Sequence, residues 1–334
     1  MAGLSAKRAD PMQSPAAKVI SGYARRQLRA TDAAVARLAD KNDTQALHDT
    51  RVNMRRLRGW LQAFDDRLKL KRRQRRDLRR LARATNPARD AEVCIQWLAK
   101  LRTDLDPRAQ PGMARFTRYL ASTRDHNYRH IRNRLASDWN WLSHKLMHAA
   151  TALCDSKHQK ANFQQLYAAS LRDYAQNFIT NREQACTRPD AAHIHRLRIA
   201  AKRLRYLLET TLPWQASARP LVRELKILHE TAGAIQDLQR FRSLTEQAYL
   251  QQAGARYRRL LSLYADPDVD HRTLPDTEPA PGLMPMLWIS RAACIRQAQY
   301  LARFRRDYLG RKHPACMLYL HKYLADSRRP ARNR

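Results

Sequence analysis

The sequence predicts an all-α protein made of two tandem, pseudo-symmetric helical bundles. Three observations predict it. Apolar residues recur at helical spacing through most of the chain. Good helix formers (Ala, Leu, Arg, Gln) dominate, with only 8 glycines among 334 residues, so little sheet is expected. One stretch also occurs twice: L-H-D-T-R-V-N-M-R-R-L-R from Leu47 to Arg58, and I-H-R-L-R-I-A-A-K-R-L-R from Ile194 to Arg205. A shift of 147 places His48 on His195, Arg51 on Arg198, Arg55 on Lys202, Arg56 on Arg203 and Arg58 on Arg205. The same shift places Arg72 on Arg219, Arg76 on Arg223, Leu78 on Leu225, Arg79 on Lys226, Leu81 on Leu228 and Asp90 on Asp237. One offset kept from position 48 to position 90 reads as an internal duplication. It divides the chain into a tail (1–14), a first bundle (15–155), a second bundle (160–325) and a basic tail (326–334).

The elements follow in order. Val19, Tyr23, Leu28, Val35 and Leu38 give a helix from Pro15 to about Ala39. Asp43 or Thr44 caps the first motif helix, which runs to Phe64. An arginine-rich helix covers Lys69 to Ala84. Pro87, suited to a helix start, opens the next, which reaches Leu101. Pro107 and Pro111-Gly112 mark a turn. A long helix then reaches Leu135, and another covers Trp139 to Leu153. In the second half, helices are expected over Leu166–Arg182 and Ala191–Leu212, stopped by Pro213. Pro220 opens a helix that ends near Gly233, a left-handed end matching Asn86. Further helices cover Ile235 to Ala253 and on to Tyr264. The breaker-rich segment 266–285 is a loop. Helices over Leu287–Leu309 and Cys316–Leu324 close the chain.

Winding the first motif as a helix puts His48, Arg51, Arg55 and Arg58 on one basic stripe, with Met54, Leu57, Leu61 and Phe64 opposite. His195, Arg198, Lys202 and Arg205 repeat the stripe, opposite Leu197, Leu204, Leu208 and Thr211. Arg56 and Arg203 flank it. A second stripe of Arg72, Arg76, Arg79 and Arg83 steps by four, three and four residues. Its copy is Arg219, Arg223 and Lys226, broken by Glu230. Like charges at such spacings destabilise a helix. A solvated arginine face is the plain alternative. However, a repeat keeps its core in order to fold, and has no folding reason to keep a mutually repelling stripe.

Charge narrows the function. Lys plus Arg is 64 against 30 Asp plus Glu, a formal +34 with a pI near 11.0, which calls for a polyanionic partner. Arginine's planar fork suits phosphate oxygens. No P-loop, G-x-S-x-G, G-x-G-x-x-G or paired-carboxylate cluster is present, and acidic clusters able to hold Mg²⁺ for phosphoryl transfer are missing. Neither an enzyme nor a cofactor is expected. The histidines have no second ligand one turn away, so no metal site is expected; each could donate to a phosphate oxygen. Asp90 and Asp237 read as structural, complementing a helix dipole or pairing with an arginine of a motif helix. Five scattered cysteines without C-x-x-C point to a reducing compartment. The N-terminus has no signal-like segment and no 18-residue apolar run exists, so a soluble cytoplasmic protein without a membrane span is expected.

Together with N-P-A-R-D-A-E-V and L-K-I-L-H-E-T-A-G-A-I-Q-D-L, the two motifs resemble the CHAD family, the conserved-histidine α-helical domain, over roughly residues 15–310. The resemblance implies two helical bundles about a pseudo-two-fold, a basic cavity between them, and binding of inorganic polyphosphate with targeting to polyphosphate granules. By motif match, His48, Arg51, Arg55, Arg56 and Arg58 line that site with His195, Arg198, Lys202, Arg203 and Arg205. Arg79 and Lys226 match the family's basic position in the following helix. Asn86 stands where the family has a glycine. Nothing resembles the triphosphate-tunnel domain that many relatives carry. The expected partner is therefore inorganic polyphosphate, held by replacing its counterions. Nucleic acid is the alternative, disfavoured because the stripes carry few aromatic residues to stack bases and few Asn or Gln to read base edges.

Overall fold

The structure, a computed structural model, describes residues 11–40, 43, 45–105, 107–154, 161–264, 284–310 and 314–328. Eleven α-helices are present among them: α1 (Ala16–Arg37), α2 (Ala46–Ala63), α3 (Asp65–Leu68), α4 (Arg72–Ala84), α5 (Asn86–Leu101), α6 (Gln110–Cys154), α7 (Phe163–Thr187), α8 (Ala191–Thr211), α9 (Arg219–Tyr264), α10 (Met284–Phe304) and α11 (Ala315–Arg328). No strand appears among the described residues, so the all-α class holds. Of the predicted tails and loop, residues 1–10, 265–283 and 329–334 lie outside the described residues, as does Thr44.

Helix starts follow the cap chemistry read from the sequence. The Asp43 carboxylate accepts from the amides of Gln45 and Ala46, both at 3.0 Å, opening α2. Asp190 accepts from the His193 amide at 2.8 Å, opening α8. Asn162 accepts from the Gln164 amide at 2.8 Å, opening α7.

Two breaks expected from sequence are absent. The helices expected to end at Leu135 and restart at Trp139 form the single helix α6. There Ser137 turns its hydroxyl back to the Arg134 carbonyl, and Asp138 pairs with Arg134 and Arg80, each at 3.6 Å. Residues that read as breakers are thus satisfied inside a helix. Gly233 lies within α9 instead of ending a helix. Buried Ala232, Ile235 and Leu238 around it outweigh the cost of an interior glycine, about 1 kcal/mol. Pro111-Gly112 likewise falls in the first turn of α6, where proline is tolerated.

The described chain forms two compact units. One comprises residues up to Thr85, 130–232 and 304 onward; the other comprises 86–129 and 233–303. Their borders at Thr85 and Ala232 are 147 positions apart, so each unit takes the matching portion of both sequence halves instead of one whole half.

In the first unit α1 packs on α2, α7 on α8, α2 on α8 and α1 on α7. The packing repeats the sequence offset. Pro15 and Asn162, separated by 147 positions, form an antiparallel bridge. Its two hydrogen bonds are reciprocal: the Ala16 amide donates to Ala161 O at 2.8 Å and the Phe163 amide to Ser14 O at 3.2 Å. Gly59 faces Tyr206, again 147 positions on, where α2 meets α8. Trp60 anchors this core. It is 1% exposed, its indole donates to the Ile20 carbonyl at 3.0 Å, and Tyr23, Phe64 and Phe163 surround its rings.

A Cβ on Gly59 would sit 3.5 Å from Tyr206 Cβ, an ordinary contact. Gly59→Ala is therefore expected to stabilise the protein by about 0.5–1 kcal/mol, as helical Gly→Ala does. Gly59→Leu is expected to push α2 from α8 and cost about 1–3 kcal/mol by overpacking. Thermal unfolding of the two variants checks both signs.

The second unit has its own core: Cys94, Trp97, Leu98, Leu101, Phe116, Leu120, Leu238, Phe241, Met286 and Ile289 are all buried together. Asp90, in the first turns of α5, pairs there with Arg240 of α9 at 3.2 Å; of the two structural roles expected, pairing with a motif-helix arginine is not the one seen.

Candidate functional site

The apolar stripes of α2 and α8 bury Leu57, Leu61, Leu197, Leu204 and Leu208, so the faces beside them carry the cations. Because the two helices pack on each other, the basic residues of both motifs meet in the first unit. Lys202 shows this most directly. Burial, then the neighbouring charges of Arg198, Arg55, Arg58 and Arg203, lower its ammonium from 10.5 to about 8. These four named neighbours are all cations. Arg58 is held below its ordinary range by burial, then by Arg79, Arg83 and Arg203.

His229, on α9, joins the cluster. Burial, followed by Arg198, Arg205, Lys202 and Arg55, pushes its imidazole down to about 2. It is neutral at any working pH, and neither ring nitrogen has a hydrogen-bond partner among the described residues. Tyr206 lies between two guanidinium groups: Arg205 at 5.0 Å and Arg55 at 5.7 Å from its ring centre, both in cation–π range. Arg205 is the most buried of the cations and is neutralised by Glu209 at 3.3 Å.

An open cavity of about 290 Å³ adjoins the cluster. Arg58 of α2, Arg203 of α8, and Arg75 and Arg79 of α4 line it as cations, against one carboxylate, Asp65 of α3. Gln62 and Gln74 add amide groups. Lys69 precedes this wall of α4 in a left-handed conformation (φ 45°), which reverses the chain between α3 and α4. Arg75 is tied to Asp65, while Arg79 donates only to the Arg75 carbonyl, at 3.2 Å, among its recorded bonds.

The structure thus brings together seven of the predicted site residues: Arg55, Arg58, Arg79, Arg198, Lys202, Arg203 and Arg205. The other predicted residues have different recorded surroundings, beginning with Arg51. Arg51 donates to the Thr85 hydroxyl at the end of α4. Arg56 acts on Tyr23 of α1, offsetting the burial that raises that phenol to about 12. His48 and His195 are exposed in the first turns of α2 and α8. Arg72 and Arg76 are exposed on α4, and Arg219 on α9. Arg223 lies 3.9 Å from Glu224, and Lys226 lies 3.8 Å from Glu230, both exposed cations.

Sequence reasoning missed His229, Arg75, Tyr206 and Glu209. The 147 offset could not flag His229 or Arg75, because their counterparts are Ala82 and Val222. Among the described residues no group of three His, Cys, Asp or Glu side chains could hold a metal ion. No helix there is long and apolar enough to cross a membrane.

The family model of the CHAD domain matches residues 22–246. Two solved structures share the fold. The CHAD domain from the plant Ricinus communis has a TM-score of 0.69 at 18% identity, covering 93% of both chains. PptA from Streptomyces chartreusis has a TM-score of 0.57 at 14% identity, covering 92% of this chain and 100% of that one. No curated protein matches the chain in sequence.

Proposed function

This chain belongs to the CHAD domain family, and on that premise we propose that it binds inorganic polyphosphate at the cation cluster of α2, α4 and α8, without turning the polymer over. One observation carries the reading: Lys202 is half-buried among Arg55, Arg58, Arg198 and Arg203, a gathering of like charge that a polyanion would relieve. Guanidinium groups give forked contacts to phosphate oxygens, and neutral His229 offers one N–H donor without adding repulsion. Condensed counterions released from the polymer add an entropic term. Binding of this kind would bring the protein to polyphosphate granules in the cell.

Competition tests it. Labelled RNA is bound to the full chain, and long-chain polyphosphate is added at matched phosphate concentration. Displacement of the RNA is expected, and RNA that holds its place would refute the polymer reading. Incubation with Mg²⁺ and polyphosphate is expected to release no orthophosphate.

The lowered Lys202 ammonium sets a pH dependence. In the free protein it loses its proton near pH 8. A bound polyanion favours the charged form and lifts it back, so between about pH 8 and 10.5 binding takes up one proton. Affinity for polyphosphate is expected to fall as pH rises through that window, by up to ~10-fold per unit. Below about pH 8 Lys202 contributes no slope. Calorimetry in two buffers of different ionisation enthalpy measures the proton directly.

A further inference from the structure

We propose that the open cavity beside the cation cluster is a subsite for a nucleoside phosphate, with the base against its leucines and the phosphate against Arg58, Arg79 and Arg203. The inference rests on the phosphate affinity proposed for this cluster, and adds a compartment that a bare phosphate polymer has no use for. The cavity holds about 290 Å³, and every residue lining it belongs to the first unit. Ligand pockets run from about 300 to 1,000 Å³, so this one has room for a single compact ligand and not for a length of polymer.

Three features of the lining point to that ligand. Leu61 of α2, Leu70 between α3 and α4, Leu78 of α4 and Leu146 of α6 supply apolar surface. Inorganic polyphosphate has no apolar group to set against them, whereas every nucleobase has an apolar face. Arg58, Arg79 and Arg203 line the same cavity. The charges of Arg79 and Arg203 also act on Arg58, which places the three together independently of the cavity. Neither Arg58 nor Arg203 has an ion-pair partner among the described residues, and Arg79 engages only its Nε, whereas Arg75 is tied to Asp65. The third feature is a pair of groups suited to the edge of a base. The exposed Gln62 amide both donates and accepts. Asp65 meets Arg75 through Oδ2, which leaves its other carboxylate oxygen to accept from a base N–H. A lipid chain in the cavity would leave both groups unpaired. Gln74 serves the wall instead: its Oε1 accepts from the Lys71 amide at 2.8 Å, and its Nε2 donates to the Lys145 carbonyl of α6 at 3.5 Å.

Titration calorimetry on the full chain compares AMP, ribose 5-phosphate and hexyl phosphate, which carry the same phosphate monoester. AMP is expected to bind at least ~10-fold more tightly than ribose 5-phosphate, because the base adds buried apolar surface at equal charge. Hexyl phosphate, apolar but without a hydrogen-bonding edge, should also bind more weakly than AMP. Either compound binding as tightly as AMP would overturn the proposal. Gln62→Phe fills the cavity from an exposed position and changes no charge. It is expected to weaken AMP about 10-fold while leaving long-chain polyphosphate within about twofold. Circular dichroism checks its fold, and AMP affinity unchanged in the folded variant would place the base elsewhere and overturn the proposal. Polyphosphate binding by the unaltered protein is measured separately. AMP binding without polymer binding would sink the polymer reading alone, while polymer binding with AMP no tighter than ribose 5-phosphate would sink this one alone.

Discussion

The fourfold variant Arg55→Ala, Arg58→Ala, Lys202→Ala, Arg203→Ala is expected to lose polyphosphate binding almost completely while keeping its helix content. Each charge-assisted contact contributes about 1.5 kcal/mol or more, so four amount to about 6 kcal/mol, roughly 10⁴-fold in Kd. The salt dependence should change as well. Each cation that neutralises a phosphate adds about 0.7–0.9 to the slope of log K against log salt, so the slope should drop by about 3. All four residues belong to one cluster in the first unit, yet none carries the core. Stability is therefore expected to rise at low salt, where their mutual repulsion is least screened, and the gain should vanish at high salt. Circular dichroism with thermal scans at two salt concentrations reads both. A variant that unfolds would show the cations to be structural. Arg51 is left out of the set because its guanidinium donates to Thr85, joining α2 to the end of α4.

The second large effect runs the other way. Glu209→Gln is expected to destabilise the protein by about 2–3 kcal/mol, and thus to lower its Tm by roughly 3–4 °C. Arg205 is only 9% exposed and its Nε lies 3.3 Å from the Glu209 carboxylate. The charged groups acting with Arg205 on His229 are Arg198, Lys202 and Arg55, all cations. Removing the carboxylate leaves a buried guanidinium without its ion-pair partner, which costs more than the pair itself is worth. Glu209 is 28% exposed on its side chain, so the loss stays below that of a fully buried pair. Polyphosphate should stabilise this variant more than the wild type, because the polymer supplies the missing negative charge. Thermal shifts with and without polyphosphate compare the two. An equal shift would place Arg205 outside the reach of the bound polymer.

These two variants define the site from opposite sides. One removes four neighbouring cations, and the other removes the carboxylate that pairs with a fifth. The contrast between Arg205 and Lys202 is instructive, since both lie on α8 three residues apart. Arg205 is paired and close to the core, and therefore anchors. Lys202 is surrounded by cations, and therefore waits for an anion.

Much of this was legible in the residues. The all-α class, most helix positions and the two basic stripes follow from spacing and composition, because an amphipathic helix writes its buried face at a 3.6-residue period. The 147 offset was legible as repeated spacing, although the stretch that forms α4 and α5 in one half forms the single helix α9 in the other. What the offset means in space was not. Only packing shows that Pro15 meets Asn162 and that Gly59 meets Tyr206. Those contacts bring Arg55 and Arg58 beside Lys202 and Arg203. Periodicity already separates Arg58, on the stripe, from Arg56 beside it. Tertiary contact sends the first to the cluster and the second to Tyr23.

By itself, then, the sequence determined how many cations the chain carries, which helix each sits on and which side of that helix it occupies. Local chemistry decides those things within a few turns. The tertiary structure alone decided which cations share a neighbourhood; the Arg205–Glu209 pair, one turn apart on α8, is by contrast local. The tertiary structure also decided that His229, which has no counterpart in the repeat, stands among them uncharged. Those outcomes depend on charge separations of a few ångströms between residues far apart in the chain, and electrostatic energy in a half-buried site changes steeply over such distances.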